Sequence, residues 1–348
     1  MNNEHRSPVT ISDVARAAGV STASVSSVIN GRARVSATTK ERILAAINEL
    51  GYQINPTARM LRAGRTDAIG LVVPELNQPY FGQLATHLAD QLGPMGKHLV
   101  VQRSGGSREQ ELAAASFARL RMYDGVIISV VGLDPQELER LGFSTPVVLI
   151  GERSGEQRFD HIAMDNQGGA ATAVRHLVEH GARRIALLGG DLHGGIDMST
   201  LRTAGYVAEL RACGLEVDER LVVPMPMFDR ESGHRAVHSL AADGVPFDAV
   251  FAMTDVVALG ALRALSELGL RVPEDVQVVG FDNITESAYS TPALTSIDPN
   301  KPEIARTALS LLMERIDSER AANPGDLRLE PREIVVNTSL VHRESTRA

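Results

Sequence analysis

The chain has no tryptophan, one cysteine in 348 residues, and only 4% aromatic side chains. A lone Cys213 excludes an intrachain disulfide and fits a reducing compartment. No run of eighteen apolar residues exists, so no segment reads as a membrane-spanning helix. The opening MNNEHRSPV lacks the apolar core of a secretory signal. These absences point to the cytoplasm. Catalytic signatures are missing as well. The turns Ser104-Gly105-Gly106 and Gly189-Gly190 are neither a GxGxxG fingerprint nor a P-loop. No placement of Ser, His and Asp suggests a nucleophile with its base. His176 and His180 sit four apart on one helix, but the sequence offers no third ligand in reach. Neither an enzyme, a cofactor nor a metal is therefore expected.

What remains is long enough for two or three domains with a sizeable core. Hydrophobic residues make up 43% of the chain and charged residues 22%, as in ordinary globular proteins. The charge is unevenly spread. Residues 1–66 hold nine Lys+Arg against four Asp+Glu, which leaves 26 basic and 39 acidic residues for the remainder. A basic head on an acidic body suits a polyanion-binding module joined to a second one.

Within that head, the stretch Val9 to Arg65 predicts three short helices. Thr10 with Asp13 begins the first like a capping box, and Gly19 ends it. Ser21 can cap a second helix, which Asn30-Gly31 closes. Ser36 can cap a third, with Ile43, Leu44, Ile47 and Leu50 at helical spacing before Gly51. Two short helices joined by a Gly-containing turn form a helix-turn-helix, whose second helix can enter a DNA major groove. Asn55 to Arg62 is too short to be a stable helix alone, and Pro56 fits only near a helix start.

From Ala68 the pattern changes to apolar strands alternating with helices: AIGLVV, HLVVQ, GVIIS and PVVLI, then a second series with RIALL, AVFAM and VQVVGF. Such alternation predicts parallel sheets covered on both faces, here in two doubly wound subdomains. Ligands of such sheets bind beyond the carboxyl ends of the strands. Asp165-Asn166, Thr254-Asp255 and Asp282 fall at strand ends, where they could bind hydroxyls or simply cap helices.

The words TISDVARAAGVS, VSSVINGRARVS, ERILAAINELGY and LRAGRTDAIGLVVP resemble the headpiece of the lactose-repressor (LacI/GalR) family of bacterial transcription regulators. The resemblance implies an α/β, two-lobed, periplasmic-binding-protein-like effector domain preceded by an all-α helix-turn-helix DNA-binding headpiece. The expected bounds are 1–53 for the headpiece, 54–66 for a hinge, and 67–348 for the effector domain. Its first lobe would hold about 67–163 and 297–325, and its second about 164–296 and 326–342, with three chain crossings between them. The tail after Glu330 lacks a leucine heptad, so nothing there pairs dimers into tetramers.

For the headpiece the resemblance implies base contacts from Thr22, Ala23 and Ser27. The family usually has arginine where Ser27 stands, and arginine reads guanine bidentately while serine is short and ambiguous. Thr10, Ser21, Ser24, Asn30, Arg32 and Arg34 are expected at caps and phosphates, which set register. Ala58, Leu61 and Arg62 are expected in a hinge helix that orders on DNA, with Leu61 wedged into the minor groove. For the body the resemblance implies effector contacts from Tyr80, Phe81, Arg202 and the aromatic wall Phe228. Asp165, Asn166, Thr254, Asp255 and Asp282 complete the candidates. The polar groups suit a sugar, and Tyr80 facing Phe228 could sandwich a purine or nucleoside. The expectation is an allosteric homodimeric repressor bound to a palindromic operator. A solute-binding protein with a vestigial headpiece is the alternative.

Overall fold

The computed structural model describes residues 9–29, 35–52, 65–118, 122–133, 137, 145–152, 159–195, 197–321 and 329–348. The candidates Asn30, Arg32, Arg34, Ala58, Leu61 and Arg62 lie outside the described residues. The chain divides into two compact units, Met1–Thr66 and Asp67–Ala348.

In the first unit, α1 (Ile11–Ala18) starts on a reciprocal capping box between Thr10 and Asp13 and stops at Gly19, whose φ is 63°. Glycine reaches this left-handed conformation without a Cβ clash. Ser21 receives the Ser24 N–H at 3.2 Å at the start of α2 (Thr22–Ile29). Ser36 caps α3 (Ala37–Leu50) by accepting from the Thr39 N–H. Val14, Ala15, Ala18, Val25, Ile43 and Ala46 form the core where the three helices meet. The Arg42 guanidinium donates to the Ala18 and Gly19 carbonyls, tying α3 to the end of α1.

The second unit holds two six-stranded sheets. The first has the order β2 (His98–Arg103), β1 (Ala68–Val73), β3 (Gly125–Ser129), β4 (Val147–Ile150), β5 (Asp160–Met164), β11 (Glu333–Val336), and every neighbouring pair is parallel. The second has the order β7 (Val222–Val223), β6 (Ile185–Leu188), β8 (Ala249–Ala252), β9 (Gln277–Phe281), β10 (Thr295–Asp298), β12 (Ser339–Val341), with only the β10–β12 pair antiparallel. Both sheets therefore run 2-1-3-4-5 from one edge, the doubly wound order that places a ligand crevice where the winding reverses. The inner strands are fully buried Val, Ile, Leu and Ala, because helices cover both faces. α4 (Pro79–Leu92) and α10 (Lys301–Ala321) pack on the first sheet through Leu84, Leu88, Ile304 and Leu312. α5 is Arg108–Ala118. α6 (Asn166–Glu179), α7 (Met198–Ala212), α8 (Arg230–Ala242) and α9 (Asp255–Glu267) surround the second sheet.

The chain passes between lobes three times: after β5, after β10 and between β11 and β12. The structure divides the C-terminal strands between the lobes. Residues 326–342 do not all belong to the second lobe. Glu333–Val336 pairs with Asp160–Met164 in the first sheet, and only Ser339–Val341 joins the second. The cause is an ionic clamp on the completely buried Asp160 carboxylate. It accepts from the Arg315 Nε at 2.8 Å and from the Arg332 backbone N–H at 2.9 Å, which pins the start of β11 beside β5. Residues 297 and 298 likewise end β10 in the second sheet, so the crossing comes after Asp298.

Two glycines set how closely α8 and α9 approach. A Cβ on Gly260 would lie 2.0 Å from the Arg230 carbonyl oxygen, and one on Gly233 would lie 2.2 Å from that of Val257. Gly260→Ala should destabilise the protein by about 1–3 kcal/mol through overpacking. Gly82→Ala, on the exposed side of α4 with nothing within 4 Å of the new Cβ, should stabilise it by about 0.5–1 kcal/mol. Urea denaturation of the two variants checks this; equal midpoints would contradict the close-packing account.

Candidate functional site

Between the two lobes lies a cleft of about 380 Å³ lined by strand carboxyl ends and by helix starts. β1 contributes Pro74 and Glu75, β3 Ser129 to Val131, β4 Ile150 to Glu152, β8 Thr254 and β9 Asp282. Helix starts supply Gln78, Tyr80 and Phe81 from α4 and Met198, Ser199 and Arg202 from α7. The Tyr80 and Phe81 rings meet edge-on at 5.1 Å and rest on the first lobe's core. Phe228, just before α8, closes the opposite wall. Six sequence candidates thus meet here: Tyr80, Phe81, Arg202, Phe228, Thr254 and Asp282.

Arg202 is 2% exposed and held on every side. Its Nε donates to Asn166 Oδ1 at 2.7 Å, Nη1 donates to the Met253 carbonyl, and Nη2 lies 3.8 Å from the Asp282 carboxylate. The guanidinium carbon stands 3.4 Å above the centre of the Phe281 ring. Stacking and fixed acceptors replace the water this cation has lost. Asp282 is reached through backbone with φ 108°, a region that non-glycine residues avoid. Its N–H donates to the Ile297 carbonyl at 2.9 Å, and the Lys301 ammonium donates to its carbonyl oxygen, so both lobe-crossing neighbours hold the strained turn. Burial pushes the Asp282 carboxyl up to about 7, although Arg202 and Lys301 pull the other way. Burial with Asp282 nearby also raises the Tyr80 phenol, which is therefore a neutral donor and acceptor.

Three candidates stand elsewhere. Asp165 caps α6 by accepting the Gly168 N–H at 2.8 Å. Asn166 does not line the cleft but bridges it, donating from Nδ2 to Glu152 of the first lobe at 3.0 Å while it accepts from Arg202. Asp255 is completely buried and accepts from the Ile284 N–H and from the Ser287 and Ser296 hydroxyls. Burial raises its carboxyl to about 6. Its position after a strand suggests a ligand contact, but its hydroxyl partners come from a 3-10 turn at Ser287 and from β10 at Ser296, far along the chain, which sequence spacing does not bring together.

The structure adds groups the sequence did not single out. Gln78 donates across the cleft to the Phe228 carbonyl at 2.9 Å, and Gln83 donates to the Thr285 hydroxyl at 3.1 Å. Glu111, a buried residue in the first turn of α5, receives the N–H groups of Val131, Gly132 and Leu133 at 2.9–3.1 Å. It fixes the loop that carries Val131 into the cleft. A glutamate twenty residues before its partners carries no local signal.

In the headpiece, Thr22 and Ala23 are exposed at the start of α2, while Ser24 and Ser27 are half-buried. The Ser21 and Ser24 hydroxyls are hydrogen-bonded at 3.0 Å, and Thr10 is engaged with Asp13.

Comparison with known proteins defines the class. Residues 10–55 match the family described as bacterial regulatory proteins, lacI family, and residues 174–346 match the periplasmic binding protein-like domain. The HTH-type transcriptional regulator CelR of Thermobifida fusca is 36% identical, over 98% of this chain and 99% of that protein. The HTH-type transcriptional repressor PurR of Erwinia tasmaniensis is 32% identical, over 97% of this chain and 96% of its own length. A solved CelR–cellobiose complex superposes with a TM-score of 0.70 at 34% identity, covering 97% of this chain and 99% of that one. The lac repressor dimer bound to operator and the anti-inducer ONPF superposes at 0.80 with 28% identity, covering 98% and 100%. The chain belongs to the lacI family of bacterial regulatory proteins: it is a DNA-binding transcriptional regulator under ligand control, not an enzyme.

The raised Asp282 carboxyl makes stability depend on pH. Its folded pKa of about 7 lies above the ordinary 3.8, so the folded state binds a proton that the unfolded state has released. Its contribution is therefore favourable at low pH and is lost as pH rises from about 4 to about 7. The stability of Asp282→Asn relative to wild type should be about 1–3 kcal/mol more favourable at pH 7 than at pH 5, over a pH-independent cost for the pairing that Arg202 loses. Urea midpoints at the two pH values isolate this group, since all other carboxylates are shared. A relative stability that is the same at both pH values would contradict the burial account.

Proposed function

We propose that this protein is a cytoplasmic homodimeric repressor whose grip on a palindromic operator is set by an uncharged, hydroxyl-rich molecule of sugar size held between the lobes. One observation carries the ligand class. Glu75, Glu152, Asp197 and Asp282 line the cleft, with Glu75 paired to Arg103, Asp197 capping α7 and Glu152 accepting from Asn166, and Arg202 is its only lining cation among the described residues and is already paired. Carboxylates accept hydroxyl hydrogens well and repel phosphates. Tyr80, Phe81 and Phe228 supply apolar faces for a ring. A cleft of about 380 Å³ falls within the usual range for small-molecule sites. The cellobiose complex of the relative CelR agrees with this reading. A purine nucleoside is the second reading, favoured by the rings on opposite walls and by the likeness to PurR. Thr22, Ala23 and Ser27 of α2 are the proposed base-reading groups. Leu61, outside the described residues, is the proposed minor-groove wedge of a hinge helix formed on the operator, a reading that rests on the resemblance to the family.

The test is a thermal-shift screen of uncharged mono- and disaccharides, nucleosides and sugar phosphates, because a ligand of the native state raises the melting temperature. An uncharged sugar should stabilise the wild type, and Phe228→Ala should weaken its calorimetric affinity by at least about tenfold. Stabilisation by nucleosides alone selects the second reading. Preference for a sugar phosphate contradicts both.

A further inference from the structure

We propose that His234, His238 and Glu267 form a binding site for a zinc-class divalent cation on the surface of the second lobe, where the ion would staple α8 to α9. His234 and His238 stand four apart on α8, so their rings share one face of the helix. Their Nε2 atoms converge on a single oxygen from α9, Glu267 Oε2, at 2.7 and 3.1 Å. All three candidate ligand atoms lie within 4.8 Å of one another. Tetrahedral zinc with imidazole and carboxylate ligands at about 2.0–2.2 Å places them about 3.3 Å apart, so small side-chain rotations suffice. Each side chain is about one-third exposed, which leaves room for that movement and a path from solvent.

The donor set suits this ion. Two imidazoles and a carboxylate match the borderline preferences of zinc, and a water would complete the tetrahedron. The other carboxylate oxygen, Glu267 Oε1, accepts from the Arg263 Nε at 2.6 Å. That bond orients the carboxylate and leaves Oε2 turned toward the histidines, as outer partners do in metal sites. Hydrogen bonds from His234, Arg263 and His238 hold the Glu267 carboxyl down at about 2, so it is ionised throughout the working range. In the metal-free arrangement each Nε2 carries the hydrogen it donates to Glu267 Oε2. On binding, that proton leaves Nε2, released to solvent or replaced by one on Nδ1, and the Nε2 lone pair goes to the cation.

The other histidine cluster serves as a contrast. His176, His180 and His342 have ring centroids 4.2–6.3 Å apart, but His176 Nε2 is bonded to the Thr346 hydroxyl and His180 Nδ1 to the His176 carbonyl. No carboxylate completes that cluster among the described residues. The proposed site also sits on elements that serve the cleft. α8 begins directly after Phe228, and α9 is capped by Thr254, which lines the cleft. A bound cation would stiffen the wall that presents both.

The experiment uses the full chain, freed of metal with EDTA and dialysed, then titrated with zinc chloride by calorimetry and by thermal melting. The expected result is one zinc per chain and a melting temperature that rises with zinc. His238→Ala and Glu267→Gln should each weaken binding by at least about tenfold, as the loss of even an outer-shell partner does. His180→Ala should leave it unchanged. Cobalt(II) bound in place of zinc should show visible absorption that His238→Ala removes. No stoichiometric binding up to about 1 mM zinc, or wild-type affinity in the His234→Ala/His238→Ala double variant, would overturn the proposal.

Discussion

The cleft depends on one buried cation. The Arg202 guanidinium draws together four separate stretches: α6 through Asn166, the end of β8 through the Met253 carbonyl, and the end of β9 through Phe281 and Asp282. The fourth is the first lobe, reached through the Asn166–Glu152 bond. A buried charge is tolerable only when its donors are met, and removing a partner leaves the remaining charge exposed to a low dielectric. Strand ends that could vary independently are thereby held in one arrangement. The raised Asp282 carboxyl and its strained backbone are consequences of the same crowding. Such concentration of strain and perturbed ionisation is common where a fold serves a ligand.

Direct contact between the lobes is sparse and polar by comparison. Among the described residues, Gln78 to the Phe228 carbonyl, Gln83 to Thr285, and Asn166 to Glu152 are single hydrogen bonds, each worth about 0.5–1.5 kcal/mol net and somewhat more where a charge takes part, and Lys301 at the start of α10 donates to the Asp282 and Asn283 carbonyls. The apolar clusters, in contrast, stay within their own lobes, apart from Met164 at the border. Rigid bodies joined by three chain crossings and a few polar bonds can change their separation at modest cost. A ligand touching both Tyr80 and Phe228 would shift that equilibrium by its differential affinity for the two arrangements.

Much of this was legible in the sequence. Capping residues Thr10, Ser21 and Ser36 and the stops Gly19 and Gly51 mark the headpiece helices because capping is local chemistry. Continuous apolar runs mark the buried parallel strands for the same reason. Six of nine effector candidates line the cleft because strand ends and helix starts are visible as pattern breaks. What stayed hidden depends on distant partners. Asp255 and Asp282 look alike as polar groups after strands, yet one turns inward to Ser287 and Ser296 and the other faces the cleft. The placement of β11 in the first sheet rests on Asp160 meeting Arg332, a pair far apart in sequence. Glu111 and Gln78 act through backbone groups, which no residue pattern announces.

Ligand control of a DNA-binding regulator makes cleft and operator two ends of one equilibrium. Its most direct test is operator affinity, read by fluorescence anisotropy at fixed salt, with and without a saturating cleft ligand. The ligand should change the affinity of the wild type by about 5- to 150-fold, and operator should change ligand affinity by the same factor, as linkage requires. A ligand that binds the cleft tightly while operator affinity stays the same would contradict the account.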